Sequence, residues 1–414
     1  MTRRSLASAL ASASLTVLVA CDDSPPEPGA EPRRNADDDG TAASDPSLPG
    51  QDAPGQGATP PEGSRACASD VSMPLGNSYA ALSCLPQLDE IGYWRSAREW
   101  STYDDVPVSV AVLDLSFLAD HPDIRGAVDM TWNFMQDGCT SFEQGKGDCT
   151  RVAPIVPRPP APPAVGERQI MLIHGTMIAG VIAGRGAPGT GVVGVNPSAR
   201  LELLVRDANT NNLSALRFAV ERHVDVISMS WPLGAQAGDK DVPEFKELLE
   251  TATGQGTVIV MAAGNSKLDV DRRAVYPTRY STIPGVIAVG SIDLNGDFFA
   301  QFSNYGPSYV DLGAPGTAAS AGGDFERGRY SVQIGTSYSG PMVAGAASRV
   351  IQYLKRHSTS YTAADVERLV VEGSRKSPNL VPYFREGRRL DMTSLLAHLK
   401  SAQLRAAALG GATP

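Results

Sequence analysis

Histidine is scarce in this 414-residue chain, which has five. Any histidine-dependent chemistry is therefore confined to His121, His174, His223, His357 and His398. Aromatic residues make up only 6%, whereas glycine reaches 41 residues. Close backbone packing and many turns are expected, rather than a ring-rich core. Positive charge is not in excess: 36 Lys and Arg stand against 45 Asp and Glu, a formal charge of -9. No basic footprint is left for a nucleic-acid partner. The apolar stretch within residues 1–20 is too short and interrupted for a membrane span. No CxxC or Cys-His spacing is present, which argues against a zinc site.

What is present falls into segments. Arg3 and Arg4 open a leader over residues 1–20, and its end, Leu18-Val19-Ala20-Cys21, resembles a bacterial lipoprotein signal. That resemblance implies cleavage before Cys21 and lipidation of its thiol. It implies export to the bacterial cell envelope, with a lipid anchor in a membrane, periplasmic or cell-surface; ordinary secretion is the other possibility. Residues 21–65 are rich in Pro, Gly, Asp and Ser, with almost no large apolar side chains. Such a stretch cannot bury enough surface to offset its ordering entropy, so a flexible tether is expected. Four further cysteines, Cys67, Cys84, Cys139 and Cys149, are disulfide candidates in an exported chain. Three pairings are possible. The sequence-local one, Cys67–Cys84 with Cys139–Cys149, is preferred because each pair encloses a short polar loop; four free thiols are the alternative.

Residues 66–105 are expected to form an N-terminal segment packed on a domain at 106–400, with a helical pattern over 88–100. Continuous apolar runs at 108–113, 201–205, 224–229, 258–262 and 286–290 suit strands buried on both faces. Helical patterns at 213–223, 243–253, 340–357, 363–372 and 392–408 lie between or after them. The alternation predicts an α/β fold with a mostly parallel central sheet and helices on both faces. Residues 133–165 look like an insertion holding Cys139, Cys149 and the run V-A-P-I-V-P-R-P-P-A-P-P, which favours an extended, exposed conformation. Residues 401–414 are assigned as a C-terminal tail.

Polar residues cluster at the ends of these elements. At 334–345 the chain reads I-G-T-S-Y-S-G-P-M-V-A-G, a tight turn entering an apolar helix. A hydroxyl at a helix start meets unpaired N–H groups and the positive dipole end, which makes Ser337 a candidate nucleophile. A plain Ser/Thr cap would give the same local sequence. Asp114 ends the strand at 108–113, and in α/β sheets functional groups gather at carboxyl ends of strands; a local turn residue is the equal alternative. His174 heads H-G-T-M-I-A-G-V-I-A-G, and Gly264-Asn265 follow the strand at 258–262. His357 and His398 lie in Lys/Arg-bearing helical segments and look like surface.

In chain order, Asp114, His174, Asn265 and Ser337 and their surroundings resemble the subtilisin-like serine peptidases. The match spans roughly 88 to 399. It rests on His121-Pro122-Asp123-Ile124 after the Asp strand, His174-Gly175-Thr176, Ala179-Gly180, Ile227-Ser228-Met229-Ser230 and Ala262-Ala263-Gly264-Asn265. It continues through Val286-Ile287-Ala288-Val289-Gly290, Phe302-Ser303-Asn304-Tyr305-Gly306, Ala314-Pro315-Gly316 and Gly335-Thr336-Ser337 with Pro341 and Ala344-Gly345. The resemblance implies a serine endopeptidase acting on peptide or protein through an acyl-enzyme. Ser337 would be nucleophile, His174 its base and Asp114 the group orienting the imidazole. The Asn265 amide and the Ser337 N–H would receive the oxyanion, while Ser230, Trp231, Pro232 and Gly264 would bind substrate. No cofactor is implied. Calcium stays possible without an assigned site, because 184–194 lacks the Asn or Asp of the family's tight loop. Oligomeric state is left open.

The chain also departs from the family. Leu115-Ser116 replace the usual small hydroxyl residue and glycine after the acid, and Met177 replaces a second histidine. After Ser230 stands Trp231-Pro232-Leu233-Gly234, where Pro232 has no N–H to offer an extended substrate. Trp231 either walls an apolar subsite or belongs to the core. Residues 21–100 hold no convincing copy of the family's folding-assisting propeptide. These features keep an alternative in view: a weak or inactive relative serving as an envelope binding or scaffold protein.

Overall fold

Successive residues along the buried strands face two different cores. A computed structural model of the chain describes residues 85–134, 167–186, 191–206, 213–231, 242–299, 301–321 and 330–408. Its strands are β1 (Ser109–Asp114), β2 (Val128–Asn133), β3 (Arg200–Val205), β4 (Val226–Met229), β5 (Val258–Ala262), β6 (Val286–Ile292), β7 (Leu312–Pro315), β8 (Thr317–Ala321), β9 (Tyr330–Ile334), β10 (Arg375–Lys376) and β11 (Arg388–Arg389). Its helices are α1 (Pro86–Glu90), α2 (Tyr93–Trp100), α3 (Glu167–Ala183), α4 (Leu213–Glu221), α5 (Pro243–Gly254), α6 (Thr336–Arg356), α7 (Ala363–Gly373) and α8 (Met392–Ala408). Nine strands form one sheet in the order β10-β11-β7-β6-β5-β4-β1-β3-β2. Every neighbouring pair is parallel except β10–β11. β8 and β9 pair antiparallel in a sheet of their own.

The period-two pattern assigns the strand side chains. Val110, Val112, Val226, Val258, Val260, Ile287 and Val289 join a core with Ile178 of α3, Met342 of α6 and Val366 of α7. Ala111, Leu113, Ile227, Met229, Ile259 and Met261 point the other way, to Leu216 of α4 and Phe245 and Leu249 of α5. Both faces of the sheet are thus covered, which is why its strands are continuously apolar. Each fully buried Val, Leu, Ile, Phe or Met contributes about 1.5–3 kcal/mol.

The differences from expectation have local causes. The pattern at 88–100 is two helices, α1 and α2, separated at Gly92, whose φ is 66°. A Cβ there would come within 2.9 Å of the Arg95 side chain and 3.1 Å of Thr393. β2 gave no apolar run because it is an edge strand whose side chains are mostly half-exposed. Asn133, taken as the first residue of an insertion, is the last residue of β2 and pairs with Val205. Helix α8 continues to Ala408, across the boundary drawn at 400. Cys21, Cys67, Cys84, Cys139, Cys149, the proline-rich run and Pro232 lie outside the described residues.

Candidate active site

Three strands deliver polar residues to one edge of the sheet. β1 lies between β3 and β4, with β5 beyond β4, all parallel, so their carboxyl ends coincide. Asp114 ends β1 and is 2% exposed. Its Oδ1 accepts the Leu115 amide at 2.7 Å, and its Oδ2 accepts Nδ1–H of His174 at 2.8 Å. The Leu115-Ser116 sequence therefore still supplies an amide to the acid. His174 does not head its helix, as the sequence suggested. It lies inside α3, whose helical backbone starts at Glu167 and carries the imidazole across the end of β1. Gly175 allows that approach: a Cβ would stand 2.3 Å from the Ser116 carbonyl and 2.9 Å from the Asp114 Cβ.

The imidazole side chain is 16% exposed. Burial pushes its pKa down, the Asp114 charge and hydrogen bond push it up, and nearby Arg206 pushes it down; the net position is above the ordinary histidine value. The carboxylate outweighs burial because it sits in direct contact with the ring. With Nδ1 engaged by Asp114, Nε2 is the nitrogen left to take a proton.

Helix α6 starts at Thr336, earlier than the expected residue 340, so Ser337 lies in its first turn. Its backbone N–H is one of the orphan donors of a helix start. The half-buried Ser337 hydroxyl donates to the Ser230 carbonyl at 3.4 Å, a long contact, and the Ser230 hydroxyl donates to the Ser337 carbonyl at 3.1 Å. The ends of β4 and α6 are thereby tied together. Asn265, exposed just beyond β5, is held by the residue that precedes Ser337. Thr336, fully buried, donates its N–H and Oγ1–H to Asn265 Oδ1 at 2.9 and 2.8 Å. The same Oγ1 accepts the Gly264 amide at 3.1 Å. With its oxygen occupied, Asn265 presents its NH2 as donor. Gly264 has φ 102°, and a Cβ would lie 2.5 Å from the Asn304 amide nitrogen.

Of the other expected substrate residues, Ser230 is in place at this edge. Trp231 takes the second of its two alternatives. It is 5% exposed, donates Nε1–H to the Leu113 carbonyl at 3.0 Å and packs edge-on against Phe245, so it is core and walls no open subsite. Met177 is fully buried, and its sulfur accepts the Tyr338 hydroxyl at 3.8 Å. The Tyr338 ring lies 5.8 Å from the imidazole. His121 packs against Tyr330, His223 and His357 are exposed, and His398 faces Glu372; none is brought to this edge. Asp123 accepts the Val192 amide at 2.8 Å, which shapes the turn after α3. Among the described residues, no three His, Cys, Asp or Glu converge as metal ligands.

A model of the subtilase family matches residues 106–388. The chain belongs to the subtilase family. It is 34% identical over 257 residues to the major intracellular serine protease of Bacillus subtilis (strain 168), covering 59% of this chain and 69% of the relative. It is 31% identical over 276 residues to subtilisin amylosacchariticus of Bacillus subtilis subsp. amylosacchariticus, covering 64% of this chain and 60% of that one. Among solved structures it resembles a cold adapted subtilisin-like serine proteinase, with a TM-score of 0.51 and 21% identity over 70% of this chain and 90% of the other. This subtilase is therefore a subtilisin-like serine peptidase, a hydrolase with peptide or protein substrates. The scaffold alternative is not favoured. One residue at this edge went unassigned in the sequence: Thr336, which holds Asn265.

Proposed function

We propose that this subtilase hydrolyses peptide bonds with Ser337 as nucleophile, His174 as general base and then general acid, and Asp114 as the group that orients and charges the imidazole. The observation that carries this assignment is the 2.8 Å contact between Asp114 Oδ2 and His174 Nδ1 at the strand edge where α6 presents Ser337. Ser337 Oγ attacks the scissile carbonyl carbon while Nε2 of His174 takes its proton. The carbonyl π pair moves to oxygen, and the anion is received by the Asn265 NH2 and the Ser337 N–H. Collapse expels the amine, which collects the proton from His174 and leaves an acyl-enzyme. Water then repeats the sequence and frees the acid. A neighbouring base is needed because a serine hydroxyl is a weak nucleophile near neutral pH.

The test is fluorophosphonate labelling of purified protein lacking residues 1–21, beside Ser337→Ala and His174→Ala. Labelling of the wild type, lost in both variants, is expected. A folded wild-type protein that takes no label would refute the assignment. The sequence around Cys21 supports a lipid-anchored envelope peptidase. Metabolic palmitate labelling, abolished by Cys21→Ser, is the expected outcome; equal incorporation in the variant would refute it.

A further inference from the structure

Strand β8 reads T-A-A-S-A and carries no large side chain, so apolar contact does little to fix where it lies. Hydrogen bonds hold it instead, and they lead toward both reacting groups. Along one edge β8 pairs with β9, from Thr317↔Ile334 to Ala321↔Tyr330. Beyond that ladder the Gly335 amide donates to the Gly316 carbonyl at 2.8 Å, and Thr336 and Ser337 follow directly. The buried Ser320 donates Oγ–H to the Met177 carbonyl at 2.6 Å, one turn beyond His174 in α3. Helix and strand meet closely there: a Cβ on Gly180 would stand 2.6 Å from Ser320 Oγ. β8 is thus bonded to the helix that carries the imidazole and, through β9, to the turn that presents Ser337.

A side chain from outside the family match clasps the same strand. Gln87 of α1 donates Nε2–H to the Ala319 carbonyl at 2.8 Å, and its Oε1 accepts the Ala319 amide at 3.4 Å. One carboxamide satisfies both backbone groups of a strand residue, as a neighbouring strand would. Gln87 is 2% exposed, and Leu85 and Leu88 beside it are buried in the core that also holds Ala318, Ala319 and Val332. An apolar side chain would suit those surroundings; the buried amide is accounted for by what it bonds. With Ser337 and His174 as nucleophile and base, the reading on which this rests, we propose that Gln87 is a positioning residue for the peptidase reaction: it fixes β8, and through β8 the placement of the base helix relative to the nucleophile turn. Without its two bonds β8 shifts, and the contacts at Met177 and at Gly335 shift with it. Misplacing a reacting group by an ångström costs about 100-fold in rate, so a smaller displacement of β8 is read in kcat rather than in substrate binding.

The experiment measures kcat and KM on fluorescein-labelled casein, the second-order rate of fluorophosphonate labelling, and Tm. It compares the purified full-length protein with Gln87→Met, Ser320→Ala, the two combined, and Trp100→Phe. Gln87→Met keeps the length of the side chain and removes both amide bonds; Gln87→Leu replaces it if that variant does not fold. Trp100→Phe loosens the same N-terminal segment away from β8, by deleting the indole bond to the Met392 carbonyl. Gln87→Met is expected to lower kcat and the labelling rate together by roughly 10-fold, with KM little changed. Ser320→Ala gives a loss of the same kind, and the combined variant loses less than the product of the two, because both act on β8. Trp100→Phe keeps the wild-type kcat at temperatures below its lowered Tm. Wild-type kcat and labelling in the Gln87 variant overturn the proposal and leave the triad assignment intact, provided that Ser337→Ala abolishes activity. An equal fall in kcat in Trp100→Phe makes the effect one of general loosening and also overturns it. Activity surviving Ser337→Ala overturns both.

Discussion

With His174 as the proposed base, the carboxylate 2.8 Å from its Nδ1 bears on the pH range of activity. Because the imidazole pKa lies above its ordinary value of about 6.5, the acid limb of kcat/KM is expected above that pH. Asp114→Asn should move the limb down and lower kcat by about 10⁴-fold, the scale of the same exchange in a serine peptidase triad of unrelated fold; a pH–rate profile checks both. The same shift couples to stability. Folded His174 holds its proton more tightly than the unfolded chain does. Its contribution is therefore full below the unfolded value and is lost as pH rises through the raised folded value. On the oxyanion side, Asn265→Ala should cost roughly 100- to 1,000-fold in kcat, on the scale of the relative subtilisin. Thr336→Val leaves the amide present and removes the hydroxyl bonds to Asn265 and Gly264. A smaller loss, roughly 3- to 10-fold in kcat with KM little changed, is expected from one or two neutral hydrogen bonds.

At the scale of elements, the site depends on how closely α3 crosses the end of β1. Gly175→Ala would drive a methyl into the Ser116 carbonyl. Overpacking of this kind costs about 1–3 kcal/mol. Thermal melting should register that loss, together with a fall in kcat as His174 is displaced from Asp114. At the opposite ends of the strands, Asp311 precedes β7 fully buried, accepting the Ala288 amide and facing Arg385 at 2.7 Å. Burial outweighs Arg385 and pushes its pKa from 3.8 up to about 7. The folded state then holds a proton that the unfolded chain has released, so this group withdraws stability as pH rises from about 4 to about 7. Asp311→Asn should flatten that part of the profile, read as Tm at pH 5 and pH 8 beside wild type.

For the molecule as a whole, the folded unit starts before the family match at residue 106. Leu85, Leu88, Ile91 and Trp100 are buried in the same core as α6. Gln87 donates to the Ala319 carbonyl of β8 at 2.8 Å. The buried Arg349 of α6 donates to the Trp100 carbonyl and to Asp104. The Met392 amide, at the start of α8, donates to the Ile91 carbonyl at 2.7 Å. A chain starting at Leu85 should melt cooperatively and label at Ser337. One starting at Val106 should lose on the order of 5 kcal/mol or more, from the apolar side chains removed, and that exceeds much of a domain's net stability. Denaturant unfolding of the two truncations decides the point.

The sequence alone determined the parallel α/β class, because strands buried on both faces must be continuously apolar and those runs stand out between helical patterns. It also singled out Asp114, His174, Asn265 and Ser337, because each is polar beside an apolar element, in an order and setting that resemble one family. It left the edge strand β2 and the break at Gly92 unread, since half-exposed strands and single glycines give weak periodic signals. Tertiary structure alone decided that Trp231 is core rather than subsite wall, that His174 lies inside a helix, and that Thr336 holds Asn265. Those facts depend on which strand ends lie side by side, and β1 sits between β3 and β4, far from both in sequence. Adjacency of that kind is set by the winding of the sheet, which no local pattern of residues records.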